Sequence, residues 1–357
     1  MSSVTATTLK KGRVVVTDDS RLMRRMLADA LTRQGFEVVG SAADGDEALE
    51  LCRQHRPDAL TLDLHMPGLD GLGVLKALRD GKAEPVPVVV VSAFSPAHGV
   101  RAVDALAGGA FDLVAKPAIG EGMHSFTAEL GRKVAEAAHA GRTRRAPRPA
   151  IARRPGMVSP PPVPRHTAAR GAKKLVLIAC STGGPKALGE LMPALPGRLG
   201  SGTLIVQHMP PGFTASLASR LDGSSKLTVR EAAGGEILDP SVALIAPGGS
   251  HLRLGDDRRT LLNDDAPEGG LKPRADHTIE DAARLFGNRL LLVVLTGMGR
   301  DGLRGAKAVK AAGGTILVEA ENTCTVYGMP RAIAEAGLAD EVLELGDLPA
   351  AIAREAS

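Results

Sequence analysis

The 357-residue chain reads as two α/β domains, each built on a doubly wound parallel sheet. Three observations carry this reading. Short Val, Leu, Ile and Ala runs alternate with amphipathic helix-like segments across residues 11–135 and again across 173–355, the pattern of strands followed by crossover helices. Aromatic residues make up 2%, with no Trp and only Tyr327, so both cores have to be aliphatic, as suits parallel strands covered on both faces. Between the domains, residues 141–170 are rich in Arg and Pro and hold no acid, the composition of a semi-extended spacer. The linker is placed at 136–172.

In the first domain the strand-like runs are RVVVT, EVVGSA, ALTLD, VPVVVVSA and FDLVAK. Helix-like runs RLMRRMLADALTRQ, GDEALELCRQH, GLGVLKALRD and GVRAVDALAGG separate them, and a last helix is expected over 121–139. Five strand-helix repeats imply a (βα)5 sheet. In the second domain LVLIAC runs into Ser181, Thr182, Gly183, Gly184 and Pro185, and a helix is expected through KALGELMPAL. Proline suits its first turn. Further strands are GTLIVQ, ending at His208, and LLLVVL, leading through TGMGR to Asp301.

Composition narrows the function classes. The net charge of +4 is concentrated in the spacer, where a solvated linker is the simpler reading than a contact with nucleic acid or membrane. Scarce aromatics argue against binding nucleic acid by base stacking. No apolar stretch reaches membrane-spanning length, and the start lacks a secretory signal, so a cytoplasmic protein without membrane insertion is expected. Cys52, Cys180 and Cys324 are odd in number and form no CxxC pair, which suggests neither a disulfide framework nor a zinc site.

In open parallel sheets, ligands sit beyond the carboxyl ends of the strands. There the first domain places Asp18 and Asp19 after its first strand, Asp63 after the third, Ser92 after the fourth and Lys116 after the fifth. Three carboxylates on one rim repel one another and call for a hard cation such as Mg2+. Lys116 and the Ser92 hydroxyl then supply what a phosphoryl group needs, and Asp63 can accept it as an acyl phosphate. Taken singly, Asp19 or Ser20 could cap the following helix, and Lys116 could be a solvated charge.

In the second domain the same rim collects Ser181, His208 and Asp301. A serine hydroxyl is a poor nucleophile until a base takes its proton, so a Ser, a His and an orienting carboxylate form a coherent hydrolase. The chain order Ser, His, Asp differs from the orders of three familiar serine hydrolase architectures. Cys180 is the rival nucleophile, although alternation along an extended segment lets only one of Cys180 and Ser181 face His208. His251, His277, Asp264 and Asp265 show no metal-ligand spacing and are assigned surface or loop roles.

Two sets of motifs carry a family resemblance. VVVTDDSRLMR, LTLDLHMPGLDG, VVVVSAF and DLVAKP resemble the response-regulator receiver family, which implies a flavodoxin-like fold, phosphorylation of Asp63 with Mg2+ at Asp18, Asp19 and Asp63, and a cis bond between Lys116 and Pro117. Leu113 occupies the position where receivers often carry an aromatic switch residue. IACSTGGP, VQHMPPGFTASLASRLD, VALIAPGG, VVLTGMGRDG and TCTVYGMPRA resemble the catalytic domain of the chemotaxis protein-glutamate methylesterases, the CheB family. That resemblance implies demethylation of glutamyl esters, and deamidation of glutamines, in chemoreceptor cytoplasmic domains. By motif position, Ser181 is the nucleophile, His208 the general base, Asp301 its orienter, and Thr182 and Met298 shape the site, Met298 through its backbone amide. The implied phosphodonor is a chemotaxis histidine kinase, with no cofactor in the hydrolase domain and no DNA partner. Ala179-Cys180 and KPRAD at 272–276 depart from the usual family residues. The alternatives are a phosphorylation-dependent receptor-binding protein, a transcriptional regulator using the basic linker, and an esterase serving a non-chemotactic receptor array.

Overall fold

Valine-rich strands set the first sheet and leucine-rich strands the second. The computed structural model describes residues 11–81, 84–93, 96–117, 123–145 and 173–357, and the chain divides into two units, Met1–Ser159 and Pro160–Ser357.

The first unit alternates β1 (Arg13–Thr17), α1 (Arg21–Arg33), β2 (Glu37–Ala42), α2 (Gly45–His55), β3 (Ala59–Leu62), α3 (Gly71–Arg79), β4 (Val88–Ser92), α4 (Pro96–Ala107), β5 (Asp112–Ala115) and α5 (Met123–Arg145). All five strands pair in parallel, in the order β2-β1-β3-β4-β5. Val14 to Val16 and Val88 to Val91 are buried on both faces, which explains their unbroken apolar runs. The strand order reverses between β1 and β3, and the crevice opens there.

Two expectations are corrected. Helix α5 continues to Arg145, past the expected end at 139 and into the segment assigned to the linker from 136. Leu130, Val134, Ala137 and Ala138 are buried, and a Cβ on Gly141 would stand 2.2 Å from the Asp58 carbonyl oxygen, so tight packing sustains the helix through those residues. The rest of the expected linker, 146–172, lies outside the described residues. Among the described residues the cis bond is Lys272-Pro273, not Lys116-Pro117.

The second unit comprises β6 (Leu175–Cys180), α6 (Gly184–Leu191), β7 (Thr203–Gln207), α7 (Phe213–Asp222), β8 (Thr228–Glu231), β9 (Val242–Ile245), β10 (His251–Leu254), β11 (Thr260–Asn263), α8 (Ala275–Phe286), β12 (Leu290–Val294), α9 (Leu303–Ala311), β13 (Thr315–Glu319), α10 (Met329–Glu335), β14 (Glu341–Leu343) and α11 (Leu348–Ala356). Seven strands pair in parallel in the order β14-β13-β12-β6-β7-β9-β8. The antiparallel hairpin β10-β11 stands apart from this sheet and from the strand-helix pattern of the sequence. Its turn places Arg258 at φ 63°.

Leu175, Leu177, Leu292 and Val294 pack with Ile279, Ala282 and Val309 in one buried cluster. Each buried Leu, Ile or Val among them stabilises the fold by about 1.5–3 kcal/mol. Helices α8 and α9 approach closely because Gly305 has no side chain, and a Cβ there would meet Ile279 Cβ at 2.6 Å. Strand order reverses between β6 and β12, so this sheet too opens its crevice at a switch point.

Candidate active site and acidic pocket

The acidic pocket lies where β1 and β3 end. Asp18 and Asp63 are buried and Asp19 is exposed, yet one carboxylate oxygen from each lies within 4.8 Å of the others. Lys116 Nζ is 2.7 Å from both Asp18 Oδ2 and Asp63 Oδ2. Asp63 Oδ1 turns away and accepts Leu64 N at 2.7 Å. Burial, with repulsion from Asp63, holds the Asp18 carboxyl above the usual carboxylate range despite Lys116. Burial alone would lower the Lys116 ammonium, but its two carboxylate partners raise it.

Asp18 Oδ2 has Lys116 as its partner. One ammonium thus serves two buried carboxylates while a third stands alongside, and this oxygen-only, anion-rich set fits a divalent cation such as Mg2+. Ser92 is fully buried at the end of β4, its Oγ 3.5 Å from Ala93 O. Of the two capping alternatives, Ser20 is the one that caps α1, accepting Met23 N at 3.4 Å.

Ser181 follows β6 at a turn that only glycine permits. Gly183 adopts φ 81°, and a Cβ there would stand 2.4 Å from Thr325 Cβ. The chain then enters α6 with Pro185 in its first turn, as the sequence predicts. Cys180 is fully buried. Burial, with Glu319 adding repulsion, pushes its thiol far above the ordinary range, so no accessible thiolate competes with Ser181.

His208 follows β7, its backbone N–H bonding Cys180 O at 3.1 Å. Its Nε2 lies 2.7 Å from Asp301 Oδ2. Asp301 is itself held at the start of α8: it accepts Ala275 N at 2.7 Å and Asp276 N at 3.0 Å, besides Gly302 N at 2.9 Å. Helix α8 has no side-chain cap of its own, and Asp301 supplies one from across the crevice. Burial alone would raise the Asp301 carboxyl, but the His208 bond and the α8 amides hold it well below the usual range. Neighbouring Asp276 is displaced upward, by burial and by Asp301.

The structure therefore brings His208 and Asp301 into direct contact. Among the described residues no hydrogen bond joins Ser181 Oγ to His208, although the two follow adjacent strands. Catalytic hydrogen bonds commonly tighten only once substrate is bound. Thr182 is buried and its carbonyl accepts Thr296 Oγ1 at 2.9 Å. Met298 follows Gly297, where a Cβ would stand 2.9 Å from Ser181 Cβ, so Met298 is one residue from direct contact with the serine.

Sequence reasoning missed four supporting residues. Thr296 accepts Ser181 N at 3.0 Å through its carbonyl, and Gln207 Nε2 donates to Ser181 O at 3.0 Å and His208 O at 2.9 Å. Arg274 lies with its Nε 3.5 Å from Asp301 Oδ1 and its Nη2 3.1 Å from Asp276 Oδ2. Glu319 accepts Thr296 N at 2.7 Å. Polar Gln207 and Glu319 at the ends of otherwise apolar strands were the available signals. His251 needs correction: it is fully buried, not a surface residue, and its Nδ1 accepts Arg274 N at 3.2 Å, which fixes the turn into α8. His277 instead meets Glu268 at 2.7 Å.

Fold and rims define a (βα)5 domain with an acidic pocket, followed by a parallel α/β domain with a His-Asp pair beside a serine. Residues 14–126 match the response regulator receiver domain and residues 176–352 match the CheB methylesterase family. A protein-glutamate methylesterase/protein-glutamine glutaminase of Symbiobacterium thermophilum is 43% identical over 350 residues, covering 96% of each chain. One of Myxococcus xanthus is 42% identical over 352 residues, covering 96% of this chain and 97% of its own. The crystal structure of the Thermotoga maritima CheB methylesterase catalytic domain superposes with a TM-score of 0.50 at 42% identity, over 51% of this chain and 98% of that one. The chain belongs to the CheB methylesterase family, in the form that carries an N-terminal receiver domain. After the receiver, the described residues form an α/β sheet rather than the DNA-binding module a transcriptional regulator requires. No helix among them is long and apolar enough to cross a membrane.

Proposed function

We propose that this protein removes methyl esters from glutamyl side chains of chemoreceptor cytoplasmic domains, and deamidates specific glutamines there, in the cytoplasm. Ser181 is the nucleophile, His208 the general base and Asp301 its orienter. The observation that carries this reading is the 2.7 Å contact between His208 Nε2 and Asp301 Oδ2, at the rim where Ser181 leaves β6. Because Asp301 is held ionised, the His208 proton belongs on Nε2, and the Nδ1 lone pair is left to take the proton of Ser181.

Ser181 Oγ attacks the γ-carbonyl carbon as its proton passes to His208 Nδ1. The tetrahedral oxyanion is met by backbone amides, with Thr182 and Met298 as the donors assigned. Collapse expels methanol, protonated by His208, and leaves an acyl-Ser181 ester. Water then attacks by the same route and releases the glutamate. With a glutamine substrate ammonia departs instead. An amine is the poorer leaving group, so deamidation depends more strongly on His208. The serine, base and carboxylate account for every proton moved, and the hydrolase domain needs no cofactor.

Control belongs to the receiver. A chemotaxis histidine kinase supplies the phosphoryl group, Asp63 accepts it, and Lys116 and Ser92 hold its oxygens. A divalent cation bound by Asp18, Asp19 and Asp63 supplies charge neutralisation there. Phosphorylation raises esterase turnover and so resets receptor methylation during adaptation.

The test is methanol release from methyl-labelled chemoreceptor membranes, with and without a small phosphodonor plus Mg2+. Native protein should release methanol faster with phosphodonor, Asp63→Asn should keep only the basal rate, and Ser181→Ala should release none. No release by native protein from any receptor preparation would turn the reading toward a receptor-binding protein or another ester.

A further inference from the structure

At the carboxyl rim the strand order β13-β12-β6-β7 sets Glu319, Thr296, Ser181 and His208 side by side. The first of these has no part in the mechanism above, yet it is a fully buried carboxyl at the end of a strand whose other residues are apolar or Thr. Glu319 Oε2 accepts Thr296 N at 2.7 Å, and the Thr323 and Cys324 side chains lie beside the carboxyl. Among the described residues no cation pairs with it. A buried carboxyl without a cation beside it is unfavourable if it ionises, and an apolar residue would fill the core without that cost.

Thr296 is what the carboxyl secures. Its carbonyl accepts Ser181 N at 3.0 Å, its hydroxyl donates to Thr182 O at 2.9 Å, and the same hydroxyl accepts Val326 N at 2.9 Å. A single residue thus ties down both positions of the nucleophile turn. We propose that Glu319 is a positioning residue for the nucleophile: its carboxyl fixes the Thr296 backbone, and Thr296 in turn fixes Ser181 and Thr182. The inference rests on Ser181 being the nucleophile.

The protonation state of Glu319 then matters. Thr323 and Cys324 from the turn after β13 hydrogen-bond to it, and Cys180 from β6 and Glu190 from α6 lie within electrostatic reach. Lys186, the nearby cation on α6, is engaged by Glu190 at 4.0 Å. Burial, with Glu190 adding repulsion, raises the Glu319 carboxyl above its ordinary value. A neutral acid leaves this buried rim uncharged, while an ionised one sets an unpaired negative charge against Thr296, two strands from Ser181, where negative charge develops in the reaction. Turnover therefore falls as pH rises through the titration of Glu319.

The experiment compares native full-length protein with Glu319→Gln and Glu319→Leu, measuring methanol release from methyl-labelled receptor membranes across pH. Leucine removes the acceptor, and kcat should drop about tenfold to a hundredfold with KM unchanged. Glutamine keeps a neutral acceptor and should hold kcat within about twofold near neutrality while flattening the alkaline limb. Native kcat in Glu319→Leu, or a native alkaline limb in Glu319→Gln, overturns the inference. Should the leucine variant not fold, the pH profile of the glutamine variant decides. A native protein that releases no methanol defeats the esterase reading instead, so the two failures are distinct.

Discussion

Asp301 Oδ2 accepts the backbone N–H of Ala275 at 2.7 Å, so the carboxylate that faces His208 also caps a helix to which it does not belong. The two ends of that arrangement support each other. The α8 amides keep Asp301 ionised, and Asp301 gives α8 the cap that its sequence lacks. Gly305 lets α8 and α9 close on one another, which holds the amides and the carboxylate in register.

Replacing Asp301 by Asn therefore acts twice. The amide cannot hold the His208 proton on Nε2, and kcat should fall about 10³ to 10⁴-fold. The weaker cap should also lower stability by about 1 kcal/mol. Receptor-methanol kinetics and a thermal melt of the same sample separate the effects. A variant with native kcat would mean that Asp301 only caps.

The pH dependence of that stability has a definite sign. The folded-state pKa of Asp301 is depressed, so its contribution is fully present above the unfolded value of about 3.9 and is lost as pH falls toward its folded value. Native protein should exceed Asp301→Asn in denaturant midpoint at neutral pH, with the gap closing below about pH 4. Asp18 is displaced upward and acts with the opposite sign, so the variant comparison, not the native curve, reports Asp301, together with the relief of Asp276, which Asp301 helps to raise. A gap that is constant from neutral to acid pH would contradict the ionised cap.

Cys180 and Ser181 are adjacent in the chain and opposite in environment. Cys180→Ala should keep methanol release within about threefold of native, since it trims a fully buried side chain that takes no part in the proton transfers and leaves the Cys180 carbonyl in place. Ser181→Ala should abolish release with little change in Tm. Full turnover in the serine variant, measured with the same receptor membranes, would transfer the nucleophile's role to Cys180.

Much of this arrangement is legible in the sequence for a physical reason. Parallel strands buried on both faces must be apolar throughout, so the reactive residues stand out where the runs stop, as Asp18, Asp63, Ser181 and His208 do. Asp301 is seven residues past β12, yet it too is legible as the reactive residue that follows an apolar run. The partners of these residues were hidden because they arise from pairing between distant segments. Ala275 and Asp276 contribute backbone amides, which no side-chain pattern records, and Thr296 is held by a strand neighbour 23 residues later. His251 looked like a loop residue because the hairpin that buries it lies outside the strand-helix alternation. The expected end of α5 falls short for a related reason: the Arg-rich composition from Gly141 onward reads as spacer, and the contact of Gly141 with Asp58 comes from a distant segment.

Lys116 sits between two buried carboxylates, so removing its charge should be expensive without metal. Lys116→Met should lower stability by about 3–5 kcal/mol in chelator, the range for stripping one partner from a buried ion pair. Added Mg2+ should raise the Tm of this variant, because ligand that binds only the folded state stabilises it. An equal rise in Asp18→Asn/Asp63→Asn, which lacks two of the three ligands, would show that the ion acts elsewhere.

Gly297 offers the sharpest steric test of the nucleophile turn. A Cβ added there would stand 2.9 Å from Ser181 Cβ, 3.0 Å from Ser181 N and 2.5 Å from Met329 Sδ. The thioether can swing aside, but the serine backbone is fixed through Thr296. Gly297→Ala should thus shift Ser181 and the adjoining Met298 amide together. Displacement of reacting groups by about 1 Å is worth about a hundredfold in rate, so kcat should fall by that order while KM and the receiver's response to phosphodonor stay native. Stopped-assay kinetics with and without phosphodonor would decide, and an alanine variant with native kcat would mean that the turn is free to yield and that Ser181 is less tightly held than its hydrogen bonds imply.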